Sequence, residues 1–176
     1  MVFPIKRKNI NLKKKKLKIM KDTIQEFLED KKVAIVGASA NKENFGLYLT
    51  KELSKKAYQV IPVNPKCKEV ENIPCVPTVK DLPEDVHSVI LAVPPTRTEE
   101  IVDQCIGTPI KRVWMIRGMG RGAYSESAHQ LCRENKIDVV YGFCPMMFYG
   151  AGMHKFHFWL RKTFARLPAE FQLAVN

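Results

Sequence analysis

The stretch from Lys31 to Gly46, KKVAIVGASANKENFG, sets a short run of β-branched and apolar residues (Val33, Ile35, Val36) directly before Gly37, then small and polar residues before an amphipathic segment. That order dictates strand, loop, helix: branched side chains suit a pleated strand, and Phe45, Leu49 and Leu53 recur on one face of a helix. Glycine and small side chains in such a loop let backbone N–H groups approach a phosphate, and the positive end of the following helix favours the negative charge. The pattern is not G-x-G-x-x-G, because Ser39 stands where the second glycine would be.

The chain then keeps alternating. Lys32 to Val36, Tyr58 to Val63, Ser88 to Val93, Arg112 to Ile116 and Ile137 to Tyr141 read as five strands, with helices near Phe45 to Lys56, Thr98 to Cys105 and Glu126 to Glu134. SVILAV and RVWMI are apolar on both faces, as strands covered on both sides should be. Alternation of this kind requires right-handed crossovers and a parallel sheet, so the expected fold class is α/β: one doubly wound, five-stranded parallel sheet with helices on both faces. The connection KCKEVENIPCVPTVKDLPED is rich in proline and reads as an irregular loop crossing a sheet edge. Ahead of the first strand, DTIQEFLEDKK offers a short helix with Asp22 as N-cap and Ile24, Phe27 and Leu28 on one side.

The 176 residues suit one domain with extensions: a basic tail over 1–19, a domain over 20–150 and an amphipathic helical extension over 151–176. Of the net charge of +11, eight positive charges sit in residues 1–19, leaving only +3 for the rest. The tail lacks the apolar core of a secretory signal and reads as solvated disorder, or as an upstream extension with Met20 as the natural start. Nucleic acid is therefore not the expected partner, and no run approaches the roughly 18 to 20 apolar residues of a membrane span. The extension MHKFHFWLRKTFARLP places Phe156, Leu160 and Phe164 at helical spacing and is expected to dock on its own domain or join two copies of the chain. Five scattered cysteines (Cys67, Cys75, Cys105, Cys132, Cys144) without C-x-x-C spacing imply a reducing compartment, most simply the cytoplasm.

Ligands of open parallel sheets bind outside the carboxyl ends of the strands, where strand order reverses. Those ends read Gly37-Ala38-Ser39-Ala40-Asn41, Asn64-Pro65-Lys66, Pro94-Pro95-Thr96-Arg97, Arg117 to Gly122 (RGMGRG) and Gly142-Phe143-Cys144-Pro145. Small, proline and basic residues dominate and no acid occurs among them, which suits a phosphorylated ligand. RGMGRG is expected to neighbour the first loop at the switch point. The second strand ends without the acid that would hold a free adenosine ribose, which disfavours NAD; Lys66 suits a ribose phosphate, leaving coenzyme A and NADP open. Catalytic equipment is sparse: His87 lies at the far end of the third strand, His129 within a helix, and His154 and His157 lack metal-ligand partners. Cys144 is the one reactive group legible at the ligand edge, as a partner for a substrate thiol or as a small core residue.

From about Asp30 to Tyr149 the chain resembles the CoA-binding domain family, the Rossmann-like proteins similar to the nucleotide-binding part of the succinyl-CoA synthetase α subunit and of NDP-forming acyl-CoA synthetases. VGAS, the Asn44-Phe45-Gly46 lead-in to the first helix, PVNPK, LAVPP, KRVWM with Gly118 after it, and a closing strand followed by Cys144 occur in the right order. The resemblance implies coenzyme A or an acyl-CoA across the carboxyl edge. Its pyrophosphate would lie at Gly37, Ala38, Ser39 and Asn41 ahead of Phe45, its adenosine near Asn64, Pro65, Lys66, Val93 and Pro94, with Gly118 on the third side. Where relatives often have WMQPGAES this chain has WMIRGMGRGAYSES, so that wall departs from the pattern. The phosphohistidine of the larger synthetases belongs to a separate domain, and binding without an autonomous catalytic centre is the expectation. An NADP-dependent oxidoreductase and a CoA- or redox-responsive regulator are the alternatives.

Overall fold

The computed structural model describes residues 18–117 and 122–149. A helix, α1, runs across 18–29 with Met20, Ile24 and Phe27 buried and Leu28 half-buried. It begins upstream of Asp22, which therefore lies inside the helix and does not cap it, and it takes in Lys18 and Ile19 from the segment expected as tail. Burial explains the difference: Met20 is one turn before Ile24 on the same apolar face, and Thr23 donates to the Ile19 carbonyl at 2.8 Å. The expected C-terminal helix, and residues 1–17, lie outside the described residues.

Five parallel strands follow: β1 (Lys32–Val36), β2 (Gln59–Val63), β5 (Ser88–Leu91), β6 (Arg112–Met115) and β7 (Asp138–Tyr141), in the spatial order β2-β1-β5-β6-β7. The crossover helices are α2 (Phe45–Ser54), α3 (Pro95–Cys105) and α4 (Glu126–Glu134), and a short α5 (Met146–Tyr149) follows β7. Every strand expected from apolar runs is present; the first has the expected bounds and the other four are trimmed by one or two residues. Right-handed crossovers place α2 on one face and α3 and α4 on the other, because the chain steps one way from β1 to β2 and the opposite way from β5 onward.

The connection between β2 and β5 holds a two-stranded antiparallel hairpin, β3 (Glu69–Val70) with β4 (Ile73–Pro74), and a single 3-10 turn over Val79–Asp81. It contains no α-helix, as expected, but the hairpin is an addition. Glu71 and Asn72 both take positive φ, 54° and 60°, the backbone that closes a two-residue hairpin. Without the Asn-Gly signature, and with strands of two residues each, no periodicity announces it. Val76 then pairs in parallel with Val63, attaching the hairpin to the sheet edge.

Central β5 is buried along its whole length, and Ala34, Ile35, Val89, Ile90, Leu91, Val113, Trp114 and Met115 are fully inaccessible. Trp114 organises one face: its Nε1 donates to the Phe143 carbonyl at 3.1 Å, and Phe27 of α1 and Phe148 of α5 meet its ring edge-on at 5.2 and 5.7 Å. Two residues back on the same face, Arg112 fixes α1 through Glu26 (2.8 Å) and Asp30 (3.1 Å) while its Nε donates to Ser88. On the opposite face Thr98 of α3 donates to the Ala123 carbonyl ahead of α4 at 2.7 Å.

Candidate functional site

The loop between β1 and α2 is shaped by contacts with its own chain. Gly37 has φ of +89°, and a Cβ there would stand 2.6 Å from the Ala92 carbonyl oxygen and 2.7 Å from Val93 Cγ1. The glycine is thus required by the close passage of the β5 terminus. A Cβ on Gly46, in the first turn of α2, would come 2.6 Å from the Ala38 Cα, so this glycine lets the helix sit directly on the loop. Ala38 is fully buried under it and shapes the site from beneath.

Asn44 is the organiser that sequence reasoning left without a role. Its Oδ1 accepts from Leu47 N at 2.9 Å, capping α2, and from Ser39 N at 3.2 Å, while its Nδ2 donates to the Gly37 carbonyl at 3.0 Å. Asn41 accepts from Glu43 N at 3.0 Å and its carbonyl accepts from Asn44 N. After these bonds the amides of Ala40, Asn41 and Phe45 have no acceptor among the described residues. They stand at the positive end of α2, on an exposed loop whose one acid is Glu43.

β2 supplies the neighbouring wall. Asn64 Nδ2 donates to the Ala38 carbonyl at 2.8 Å and its Oδ1 accepts from Lys66 N at 2.9 Å, so the carboxamide joins two loops. Pro65 and Lys66 are exposed, and no ion pair among the described residues engages Lys66. On the other side stand half-buried Val93 and exposed Pro94, the latter immediately before α3. Phe45 is half-buried and its ring lies 5.7 Å from that of Tyr48. Gly37, Ala38, Ser39, Asn41, Phe45, Asn64, Pro65, Lys66, Val93 and Pro94 are thus brought to three adjacent strand ends. Gly118 lies outside the described residues.

One expectation is corrected by strand order. β5, not β6, lies beside β1, so the switch point falls between Gly37 and Ala92-Val93-Pro94, and the RGMGRG segment follows a strand one place further out. Within that segment Arg117 is exposed and Gly122 takes φ of +66° against the Ile116 carbonyl. Arg97, at the third strand end, is engaged by Glu100 at 3.0 Å.

The carboxyl edge also carries groups the sequence hid. Tyr124 donates to Glu126 at 2.5 Å and stands 3.4 Å from His129 Nδ1, and the Tyr141 ring packs on both, 5.0 and 4.9 Å between centroids. His129 sits on α4 and Tyr141 at the end of β7, so only the fold joins them. Cys144 is 6% exposed, near Tyr48, whose hydroxyl is held protonated by burial first and then by the charge of Glu52. His87 sits at the amino edge, bonded to the Pro109 carbonyl at 3.0 Å. A cleft of about 230 Å³ also lies at that edge, between Val79, Leu82, Val86 and Ile110, remote from the Gly37 loop. No group of three or more metal-ligating side chains occurs among the described residues.

An open parallel sheet with strand order 2-1-3-4-5, a glycine-supported loop at its switch point and a helix N-terminus over that loop defines a Rossmann-like α/β domain. The chain belongs to the CoA binding domain family, whose model matches residues 31–150. Among curated relatives it is 24% identical over 141 residues to an ADP-forming acetate–CoA ligase of Methanocaldococcus jannaschii, covering 78% of this chain and 19% of the ligase. It is 36% identical over 75 residues to ADP-forming acetate–CoA ligase I of Archaeoglobus fulgidus, covering 43% of this chain and 11% of that enzyme. The match thus spans a fifth or less of these ligases. A solved hypothetical protein from Pyrococcus horikoshii OT3 superimposes with a TM-score of 0.65 at 34% identity, covering 72% of this chain and 87% of that one.

Proposed function

We propose that this chain binds coenzyme A, free or acylated, across the carboxyl ends of β2, β1 and β5, and acts as a binding module without a catalytic centre of its own. The observation that carries the reading is the Gly37–Phe45 loop, whose amides at Ala40, Asn41 and Phe45 have no acceptor among the described residues and stand at the N-terminus of α2, between walls in which Asn64, Pro65, Lys66, Val93 and Pro94 include no acid. Those amides would hold the pyrophosphate, Lys66 the ribose 3′-phosphate, and Pro65, Val93 and Pro94 the adenosine. The ligand would bring a thiol, or a thioester, to the β6 and β7 side of the edge. Family membership and the likeness to ligase domains support this choice over NADP. The scattered spacing of the five cysteines, without C-x-x-C, supports a reducing compartment such as the cytoplasm.

Calorimetric titration with CoA, dephospho-CoA, NADP and NAD tests the proposal, alongside mass spectrometry of ligand released from the purified protein. CoA is expected to bind most tightly. Lys66→Ala should weaken CoA about fivefold, the ~1 kcal/mol of an exposed ion pair, and leave dephospho-CoA unchanged. Preference for NADP or NAD over CoA would overturn the assignment.

A further inference from the structure

The hairpin after β2 contains a second piece of chemistry. Cys67 follows Lys66 directly; its N donates to the Asn64 carbonyl at 3.4 Å and its Sγ to the Glu69 carbonyl at 3.0 Å. Cys75 lies across the hairpin, its N donating at 2.9 Å to the carbonyl of Lys68, the residue next to Cys67, and Cys67 is near enough to raise the pKa of its thiol. Both side chains are half-buried, within reach of a small reagent, whereas Cys105, Cys132 and Cys144 are buried. Burial raises the Cys105 and Cys132 thiols to about 12, which keeps them inert.

We propose that Cys67 and Cys75 form a redox-active dithiol in the wall of the ligand site, oxidised by small-molecule disulfides to a cross-hairpin disulfide that weakens ligand binding. The effect on binding rests on the coenzyme A reading; the disulfide does not. Burial, then the neighbouring Cys67, raises the Cys75 thiol to about 11, which makes Cys75 the poorer nucleophile and Cys67 the attacking sulfur. Its thiolate attacks one sulfur of the reagent RSSR, breaking that S–S bond and releasing RS⁻, which leaves a mixed disulfide on Cys67. Cys75 then gives up its proton and attacks Cys67 Sγ, expelling the second RS⁻. Two protein thiols are oxidised, RSSR is reduced to two RSH, and the protons balance. The new bond draws Cys67 Sγ from the Glu69 carbonyl and strains the turn in which Asn64 holds both Lys66 N and the Ala38 carbonyl.

The test treats the full chain with oxidised glutathione, maps disulfides by mass spectrometry and titrates CoA into the reduced and oxidised protein. Expected are a Cys67–Cys75 link reversed by dithiothreitol, a glutathione adduct trapped on Cys67 in Cys75→Ser, and several-fold weaker CoA binding after oxidation. Adducts on both cysteines with no link between them would overturn the dithiol. A link that forms while CoA affinity stays unchanged would overturn the coupling alone. Reduced protein that fails to bind CoA would sink the ligand reading and the coupling with it, the mapped link standing or falling separately.

Discussion

Three hydrogen bonds converge on the Asn44 carboxamide, and two of them need an acceptor while the third needs a donor. Asn44→Asp keeps both acceptors for Ser39 N and Leu47 N but sets a carboxylate oxygen against the Gly37 carbonyl where Nδ2 donated, so it should lower stability by about 1–2 kcal/mol in thermal unfolding, and it sets a negative charge beside the proposed pyrophosphate. Asn44→Ala removes the cap and should cost about 1–2 kcal/mol in urea titration. CoA binding lost in the Asp variant but retained in the Ala variant, both shown folded by circular dichroism, would show that electrostatics at the loop matters separately from its shape. Gly37 is the contrasting case. With φ of +89° and the Ala92 carbonyl 2.6 Å from any Cβ, Gly37→Val should destabilise the domain on the order of 3 kcal/mol or more. Circular dichroism during thermal unfolding would detect it. The glycine that ends the first strand was legible in the sequence; that its constraint comes from another strand was not, because the residue it touches is 55 positions away.

At the scale of elements, α1 is held by its buried apolar face, by Phe27 on Trp114 and by Arg112, which pairs with Glu26 and with Asp30 just past the helix. Phe27 is 1% exposed and meets Trp114 edge-on, so Phe27→Ala should cost about 3–5 kcal/mol, measured by urea unfolding. The expected face of Ile24, Phe27 and Leu28 is present, but the helix start was misplaced at Asp22 because a good capping residue in sequence competes poorly with an apolar face that continues to Met20. Bounds of Lys32–Val36 and Glu126–Glu134 were read as they stand. Strong signals produced them: a branched run stopped by glycine, and Ser125 capping α4 by accepting from Ala128 N at 3.3 Å. The β3–β4 hairpin had neither kind of signal.

For the whole molecule, pH response comes from few groups. The hydrogen bond from Lys32 holds Asp85 below the usual carboxylate range. A depressed folded-state value contributes stability that is present above the unfolded carboxylate's pKa and lost as pH falls through the folded one. Asp138 acts oppositely: burial, then Glu26, raises it, so its ionisation opposes folding as pH rises through the acid range. Asp85→Asn is therefore expected to lower the thermal midpoint at neutral pH, where the contribution is present, and to leave it unchanged at low pH, so that the acid limb flattens, by a small amount because the pair is exposed. An unaltered acid limb would show that the Lys32 contact is not held in solution.

The amino-acid sequence by itself determined the alternation of strand and helix, the doubly covered sheet, the family and the residues gathered at the carboxyl edge. These follow from local periodicity, from glycine and proline placement and from motif order, all of which act over a few residues. Tertiary structure alone decided that β5 sits beside β1, that the Asn44 and Asn64 carboxamides are committed to the chain, that Tyr124, His129 and Tyr141 meet, and that Cys67 and Cys75 lie across one hairpin. Each of these depends on which strand finds which neighbour. That choice is made by burying the most apolar strands at the centre of the sheet, where no single segment records its partner.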